Sequence, residues 1–399
     1  MLYESLYHIY YKAPERWERA YRERFFGIAA RKFPLMLRQY GRAGVHQAFF
    51  CYTEEMALLQ ERILADFQAF TQLEGRMPEA AMDIYLRGSL IEEIKSTNDI
   101  EGVRSTRKEI MAAMELPAGQ RHKKRLGSLV EQYEGIIRGE RLQLVSCEDL
   151  RRIYDAFLAE EIRRDDPHNL PDGKFFRRGS VDIVSAAQKV VHRGLYPEEK
   201  IIAYMEKALA ILNEGMIPVF IRVAVFHYLF GYIHPFYDGN GRLSRFITAC
   251  YLGQYLHPAV ALGLSALIKE RQRRYYELFS RTEADINRGE LTPFIIGMLE
   301  LAAEAIKKTT ASLQEKLAVY EKNLPYLEEL SLHQKTTKNL CDLLLQAAIF
   351  SPHGITIKEM QKYLGKTENT IYAHLKKIPA EMMVVDDRGK NYLYRLQLN

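Results

Sequence analysis

Apolar residues along this chain recur mostly at helical spacing, with a switch to period two in only two short places. Leu59, Ile63 and Phe67 form an i, i+4, i+8 stripe that predicts a helix after Cys51–Met56. Past Gly75-Arg76-Met77-Pro78, Leu86, Leu90 and Ile94 predict another, running towards Glu101-Gly102. Tyr196-Pro197-Glu198-Glu199 restarts the helical period, and Pro218 opens a very apolar helix from Val219 to Gly231. Thr292-Pro293 is a cap and first turn for a long helix, Phe294 to about Lys322. The first switch to period two follows the turn-rich stretch Asp165–Gly173. There Ser180–Val184 and Lys189–His192 predict a short hairpin.

The end of the chain reads as a separate small unit. One helix carries Leu343, Leu344 and Ala347; a second starts at Thr356 with Glu359 in the capping-box place and stops at Gly365. Thr367 caps a third, with Ile371, Leu375 and Ile378 facing inward. Met383–Val385 and Tyr392–Leu396 then flank the turn Asp386–Asn391 as a hairpin. Asn323-Leu324-Pro325 is the natural linker. The chain therefore reads as mainly α, divided into an N-terminal helical region (1–110), a core (111–322) and a C-terminal unit (323–399).

With 399 residues there is room for two or three domains, and 47% hydrophobic residues is ample for buried cores. The net charge of +5 permits nucleic-acid contact without demanding it. Basic residues cluster at Arg121-His122-Lys123-Lys124-Arg125, which reads as a solvated connection. Cys51, Cys147, Cys250 and Cys341 lie far apart, with no metal-binding spacing, and read as reduced thiols. Charges interrupt every apolar run, and Met1-Leu2-Tyr3-Glu4 does not open a signal peptide. A soluble, cytoplasmic protein without membrane contact is the expectation.

Chemistry concentrates in one run, His234-Pro235-Phe236-Tyr237-Asp238-Gly239-Asn240-Gly241-Arg242-Leu243-Ser244-Arg245. His234 supplies a base whose ordinary pKa lies near neutrality. Asp238 supplies one carboxylate, which together with phosphate oxygens and water is how Mg²⁺ is usually held. Gly239, Asn240 and Gly241 free main-chain N–H groups for an anion at a helix N-terminus, and the Asn240 amide suits a phosphate oxygen. Arg242 and Arg245, three apart, offer two guanidinium forks to further phosphates. Phe236 reads as an apolar anchor and Pro235 as a stiffener.

The run resembles the signature of the Fic family, His-x-Phe-x-Asp/Glu-Gly-Asn-Gly-Arg-x-x-Arg, at every defining position. The resemblance implies a mostly helical enzyme that moves AMP from ATP onto a Ser, Thr or Tyr hydroxyl of a target protein or of itself. It implies His234 as general base and Asp238 as the Mg²⁺ ligand. ATP contacts are implied along the run from Gly239 to Arg245, Leu243 and Ser244 included. The hairpin stands at the place of the family's flap, so Val181, Asp182, Ile183 and Val184 are implied to dock a target strand. Tyr275, Tyr276 and Asn287 resemble positions lining the adenine pocket. The helix–helix–helix–hairpin order at the C-terminus resembles a winged helix.

A second motif lies upstream. Thr97-Asn98-Asp99-Ile100-Glu101-Gly102 resembles the inhibitory motif of many Fic proteins, Ser/Thr-x-x-x-Glu-Gly/Asn, and Thr97 and Glu101 share one helical face. The resemblance implies that Glu101 occupies Arg245 and so denies it to the γ-phosphate. Two other functions stay open: removal of AMP with Glu101 positioning water, and a nucleotide-sensing regulator that binds DNA. From His333 on, ten basic side chains face six acidic ones, and Asn369, Thr370 and Lys376 are the candidate groove residues. A homodimer is compatible with the resemblance.

Overall fold

The computed structural model describes residues 3–184, 189–329, 334–386 and 392–398. The N-terminal part holds α1 (Leu6–Lys12), α2 (Pro14–Phe25), β1 (Ala30–Leu37), β2 (His46–Cys51) and α3 (Glu54–Glu74). Then follow α4 (Ala81–Ile100), α5 (Arg107–Met114), α6 (Gly127–Ile137) and α7 (Cys147–Tyr154), with a π-helical turn, Asp155–Ala159, leading into α8 (Glu160–Asp165). Two short strands, β3 (Asp182–Val184) and β4 (Val190–Arg193), precede α9 (Glu198–Leu212), α10 (Val219–Ile233) and α11 (Asn240–Tyr255). The core closes with α12 (Pro258–Ala261), α13 (Leu264–Glu270), α14 (Gln272–Glu283) and the long α15 (Thr292–Glu329). Last come α16 (Lys335–Phe350), α17 (Ile357–Leu364), α18 (Glu368–Leu375), β5 (Met383–Asp386) and β6 (Leu393–Leu396).

The fold is mainly α, as the periodicity predicts; the described strands pair two by two into antiparallel hairpins. α10 is apolar all round because α9, α11 and α15 cover it from different sides. The site is therefore built between two deeply enclosed helices, the end of α10 and the start of α11. α3 packs along α15, and α4 packs against α13, which lies next in the chain to α14. No helix of the described residues is long and apolar enough to cross a membrane.

Local chemistry sets many boundaries where the sequence places them. Thr356 and Glu359 form a complete capping box, and Gly365 ends α17 in the left-handed region at φ +61°. Thr367 caps α18, whose Ile371 and Leu375 are buried. The turn expected between β5 and β6 falls at 387–391, outside the described residues.

Two expectations differ from the structure. The N-terminal region, read as helical, contains the β1–β2 hairpin. Phe33, Leu35 and Leu37 alternate inward, but the outward positions between them are Pro34 and Met36, also apolar, so the sequence shows no alternation, and Pro34 argues against a strand. The expected linker Asn323-Leu324-Pro325 is helical, because α15 continues through it to Glu329. Pro325 is solvent-exposed, and its missing N–H leaves the Glu321 carbonyl without its helical partner.

The C-terminal unit sits directly on α4. Arg87 Nε pairs with Glu359 at 2.8 Å, Lys362 Nζ pairs with Asp83 at 3.0 Å, and Pro352 packs onto Gly88. Ile84 and Ile91 of α4 face Ile355 and Thr356 across this seam.

Candidate functional site

His234 is the residue at which α10 ends. Its N–H bonds the Phe230 carbonyl at 2.9 Å, and its backbone then turns into the left-handed region at φ +53°. A non-glycine residue pays for that conformation, so neighbours must hold it. The buried Arg177 does so: Nε donates to the His234 carbonyl at 2.9 Å, and the same fork reaches the Gly179 and Ile233 carbonyls. Burial, then the charges of His192 and Arg177, push the His234 imidazole down to about 3, with the Gly231 carbonyl opposing them. The ring is therefore neutral at pH 7 and able to accept a proton, as a base must be.

The loop after His234 is closed by Asn240. Its Oδ1 accepts from the Phe236 N–H at 3.0 Å and its Nδ2 donates to the Phe236 carbonyl at 2.8 Å. The amide expected to meet phosphate is thus spent on shaping the loop. Phe236 stacks on Tyr154 with centroids 3.8 Å apart and meets Phe176 edge-on, which anchors the loop as expected. Gly239, at φ +83°, starts α11 with Leu158 so close that a Cβ would stand 2.5 Å from it. Only glycine meets both demands.

The two arginines of α11 are almost completely buried. Arg242 Nη1 bonds Glu161 at 3.1 Å and its Nη2 lies 3.4 Å from Asp238 Oδ2. Glu161 is buried as well, and burial raises its carboxyl above the usual range against the pull of Arg242. One polar atom of each, Arg242 Nε and Glu161 Oε2, has no partner. Arg245 faces α4: Nε donates to Thr97 Oγ1 at 2.9 Å, Nη2 to the Thr97 carbonyl at 3.0 Å, and Nη1 pairs with Glu101 at 2.8 Å. Leu243 and Ser244, expected on the phosphate side, point the other way on the helix. Leu243 is core, and Ser244 Oγ bonds the buried His227 at 3.0 Å.

Glu101 occupies the cradle itself. It follows the last residue of α4, and a Cβ on Gly241 would lie 2.1 Å from its Oε1. The carboxylate therefore stands over the first turn of α11, where exposed N–H groups and the helix dipole favour an anion. A carboxylate held there by a guanidinium shows that the residues present fit an anionic group of that size. Asp238 is half-exposed beside this place, and among the described residues no cluster of three His, Cys, Asp or Glu forms a metal centre. One carboxylate suits Mg²⁺ when phosphates supply the other oxygens.

The flap lies beside the base. Gly194 N–H bonds the Val181 carbonyl, Leu195 N–H bonds the Ile233 carbonyl, and Gly194 packs against His234 Cβ. Asp182 is paired to Arg193, Ile183 is opposite His192, and Val184 is exposed. His192 ties the hairpin down through Glu283 and the Tyr232 carbonyl, each at 2.8 Å.

The three expected adenine-side residues are divided. Tyr276 is half-exposed and close enough to Glu101 and Arg245 to feel their charges. Tyr275 turns its hydroxyl inward to His227 Nε2 at 2.6 Å, because it lies on the buried side of α14. Asn287 spends its amide N–H groups on the Thr282 and Glu290 carbonyls, bracing the turn before α15. Sequence reasoning missed Arg177, Glu161 and Glu93, the last a fully buried carboxylate on α4 beneath Arg245. For Glu93 a signal existed: it continues the Thr97–Glu101 spacing one turn back.

Residues 144–252 match the model of the Fic/DOC family. That stretch spans the flap, His234 and the arginines of α11, while Thr97 and Glu101 lie outside it. In three dimensions the chain is similar to a Fic family protein from Desulfovibrio desulfuricans G20, with a TM-score of 0.51 at 19% identity, covering 88% of this chain and 98% of that one. The likeness is one of fold. A Fic domain containing signaling protein from Bacteroides thetaiotaomicron VPI-5482 matches with a TM-score of 0.43 at 15% identity, over 64% of this chain and 97% of that one. Fic-1 from C. elegans matches with 0.41 at 17%, over 67% and 74%.

Proposed function

We propose that the protein is an adenylyltransferase that moves AMP from ATP onto a Ser, Thr or Tyr hydroxyl of a protein, and that Glu101 holds it inactive. One observation carries this reading. A carboxylate stands over the first turn of α11 and pairs with Arg245, one helix start away from the half-buried, neutral imidazole of His234. When Glu101 leaves, Arg245 Nη1 and the N–H groups of Asn240 and Gly241 are released to hold the triphosphate, while Thr97 keeps Arg245 in place. His234 takes the proton of the target hydroxyl, whose oxygen bonds to the α-phosphorus as the bond to the bridging oxygen breaks and pyrophosphate leaves. Mg²⁺ at Asp238 would neutralise phosphate charge. The chain's own work is placement: Arg177 fixes the base and the flap lines the approach of the target.

The test uses ATP labelled at the α-phosphate and the full-length chain. Glu101→Gly is expected to transfer AMP to itself or to lysate proteins, and Glu101→Gly with His234→Ala is not. Equal labelling of the two would overturn the assignment.

The C-terminal unit supports a second, separate reading as a DNA contact, since α18 leaves Asn369 exposed, with Lys376 just beyond its end. A salt-dependent shift of duplex DNA by the full chain tests it, with Lys376→Glu expected to weaken the shift.

A further inference from the structure

Glu93 lies two helical turns before Glu101 on α4 and is completely buried. Glu93, Thr97 and Glu101 occupy i, i+4 and i+8, and so form one ladder along the face of α4 turned towards α11. The upper two rungs hold Arg245. The lowest is held by α13: the Ser265 N–H donates to Glu93 Oε2 at 2.8 Å, and the Ser265 hydroxyl donates to Oε1. Arg245 of α11 and the Tyr133 hydroxyl of α6 are the other charged or titratable groups facing it. Burial lifts the Glu93 carboxyl to about 7, against the Ser265 bonds and the charge of Arg245. A buried carboxylate that spends both oxygens on one serine fixes both the depth and the rotation of its helix.

We propose that Glu93 is a positioning residue for the brake: clamped by Ser265, it sets α4 where Thr97 and Glu101 close on Arg245. The inference rests on the reading of Glu101 as the group that denies the cradle to ATP. It assigns the energy of that denial partly to a contact outside the cradle, between α4 and α13, two helical turns before Glu101.

The experiment measures Mg²⁺–ATP binding by titration calorimetry on the full-length chain carrying His234→Ala, which stops turnover. Glu93→Gln and Ser265→Ala are each expected to tighten ATP binding by about 5- to 10-fold, the lower end of couplings between sites. In chains that also carry Glu101→Gly, neither is expected to change affinity by more than about 2-fold, because no brake is left to position. A merely structural role would move both backgrounds alike. The gain from Glu93→Gln is also expected to grow from pH 6 to pH 8, as the native carboxyl ionises and takes both Ser265 bonds more strongly. Unchanged affinity in the presence of Glu101, or equal shifts in both backgrounds, would overturn the role of Glu93. Absence of ATP binding by the Glu101→Gly chain would overturn the functional reading instead. Should Glu93→Gln fail to fold, Ser265→Ala decides by the same criteria.

Discussion

Glu101 Oε1 lies 2.8 Å from Arg245 Nη1 while the same oxygen fills the space over the α-carbon of Gly241. One carboxylate thus takes both the cation and the floor of the cradle. Glu101→Gln keeps the volume and removes the charge, so it separates the two. AMP transfer by Glu101→Gln is expected to fall between that of the unaltered chain and Glu101→Gly, with the last on the order of 10-fold or more above the first. Initial rates with α-labelled ATP measure the order; a Gln variant as active as Gly would assign the block to charge alone.

Arg177 holds the carbonyl of the residue it serves. Arg177→Lys keeps a cation but loses the fork that grips the His234, Gly179 and Ile233 carbonyls. In the Glu101→Gly chain, kcat is expected to drop on the order of 10- to 100-fold with KM for ATP nearly constant, because only the base is displaced. A change in KM alone would argue against this role.

Glu161 and Arg242 neutralise one another inside the protein. Glu161→Leu removes the buried partner of Arg242 and leaves it only the half-exposed Asp238 at 3.4 Å, which is expected to cost about 3 kcal/mol of stability. Glu161→Leu with Arg242→Met removes both charges and is expected to recover most of that loss. Thermal unfolding of the three chains gives the answer.

Burial depresses the imidazoles of His234 and His227, each to about 3. Their unfolded values lie near 6.5, so the unfolded chain binds more protons between these limits. Each therefore contributes stability that is complete above about 6.5 and is lost as pH falls towards 3, by up to about 1.4 kcal/mol per pH unit. Carbon-13 spectra of histidine-labelled protein, with His234→Asn for assignment, are expected to show His234 neutral at pH 5. An imidazolium signal for His234 at that pH would contradict it.

The parts of the site that sequence reveals are those whose chemistry is local. His234 to Arg245 is one run of suited residue types, and Thr97 and Glu101 are candidates through the resemblance of their stretch to the inhibitory motif of Fic proteins. The partners that decide how those residues are used come from far along the chain. Arg177 reaches His234 across 57 residues, and Glu161 reaches Arg242 across 81. A charged residue in isolation reads as surface, and nothing near Glu161 in sequence says that it is enclosed. Asn240 shows the converse. Its side chain suits a phosphate, yet its own loop claims both ends of the amide. The fold follows the same division: capping at Thr356 and Thr367 was legible, whereas β1, with a proline inside it and apolar residues on both faces, was not.

The seam between α4 and the C-terminal unit makes that unit part of the upholstery of α4 rather than an appendage. Ile84 and Ile91 would lie bare in water if the chain were cut after α15, and Asp83 and Arg87 would lose Lys362 and Glu359. A shortened chain would thus begin to fray at the very rod whose far tip carries Glu101, and amputating one end would be felt at the other.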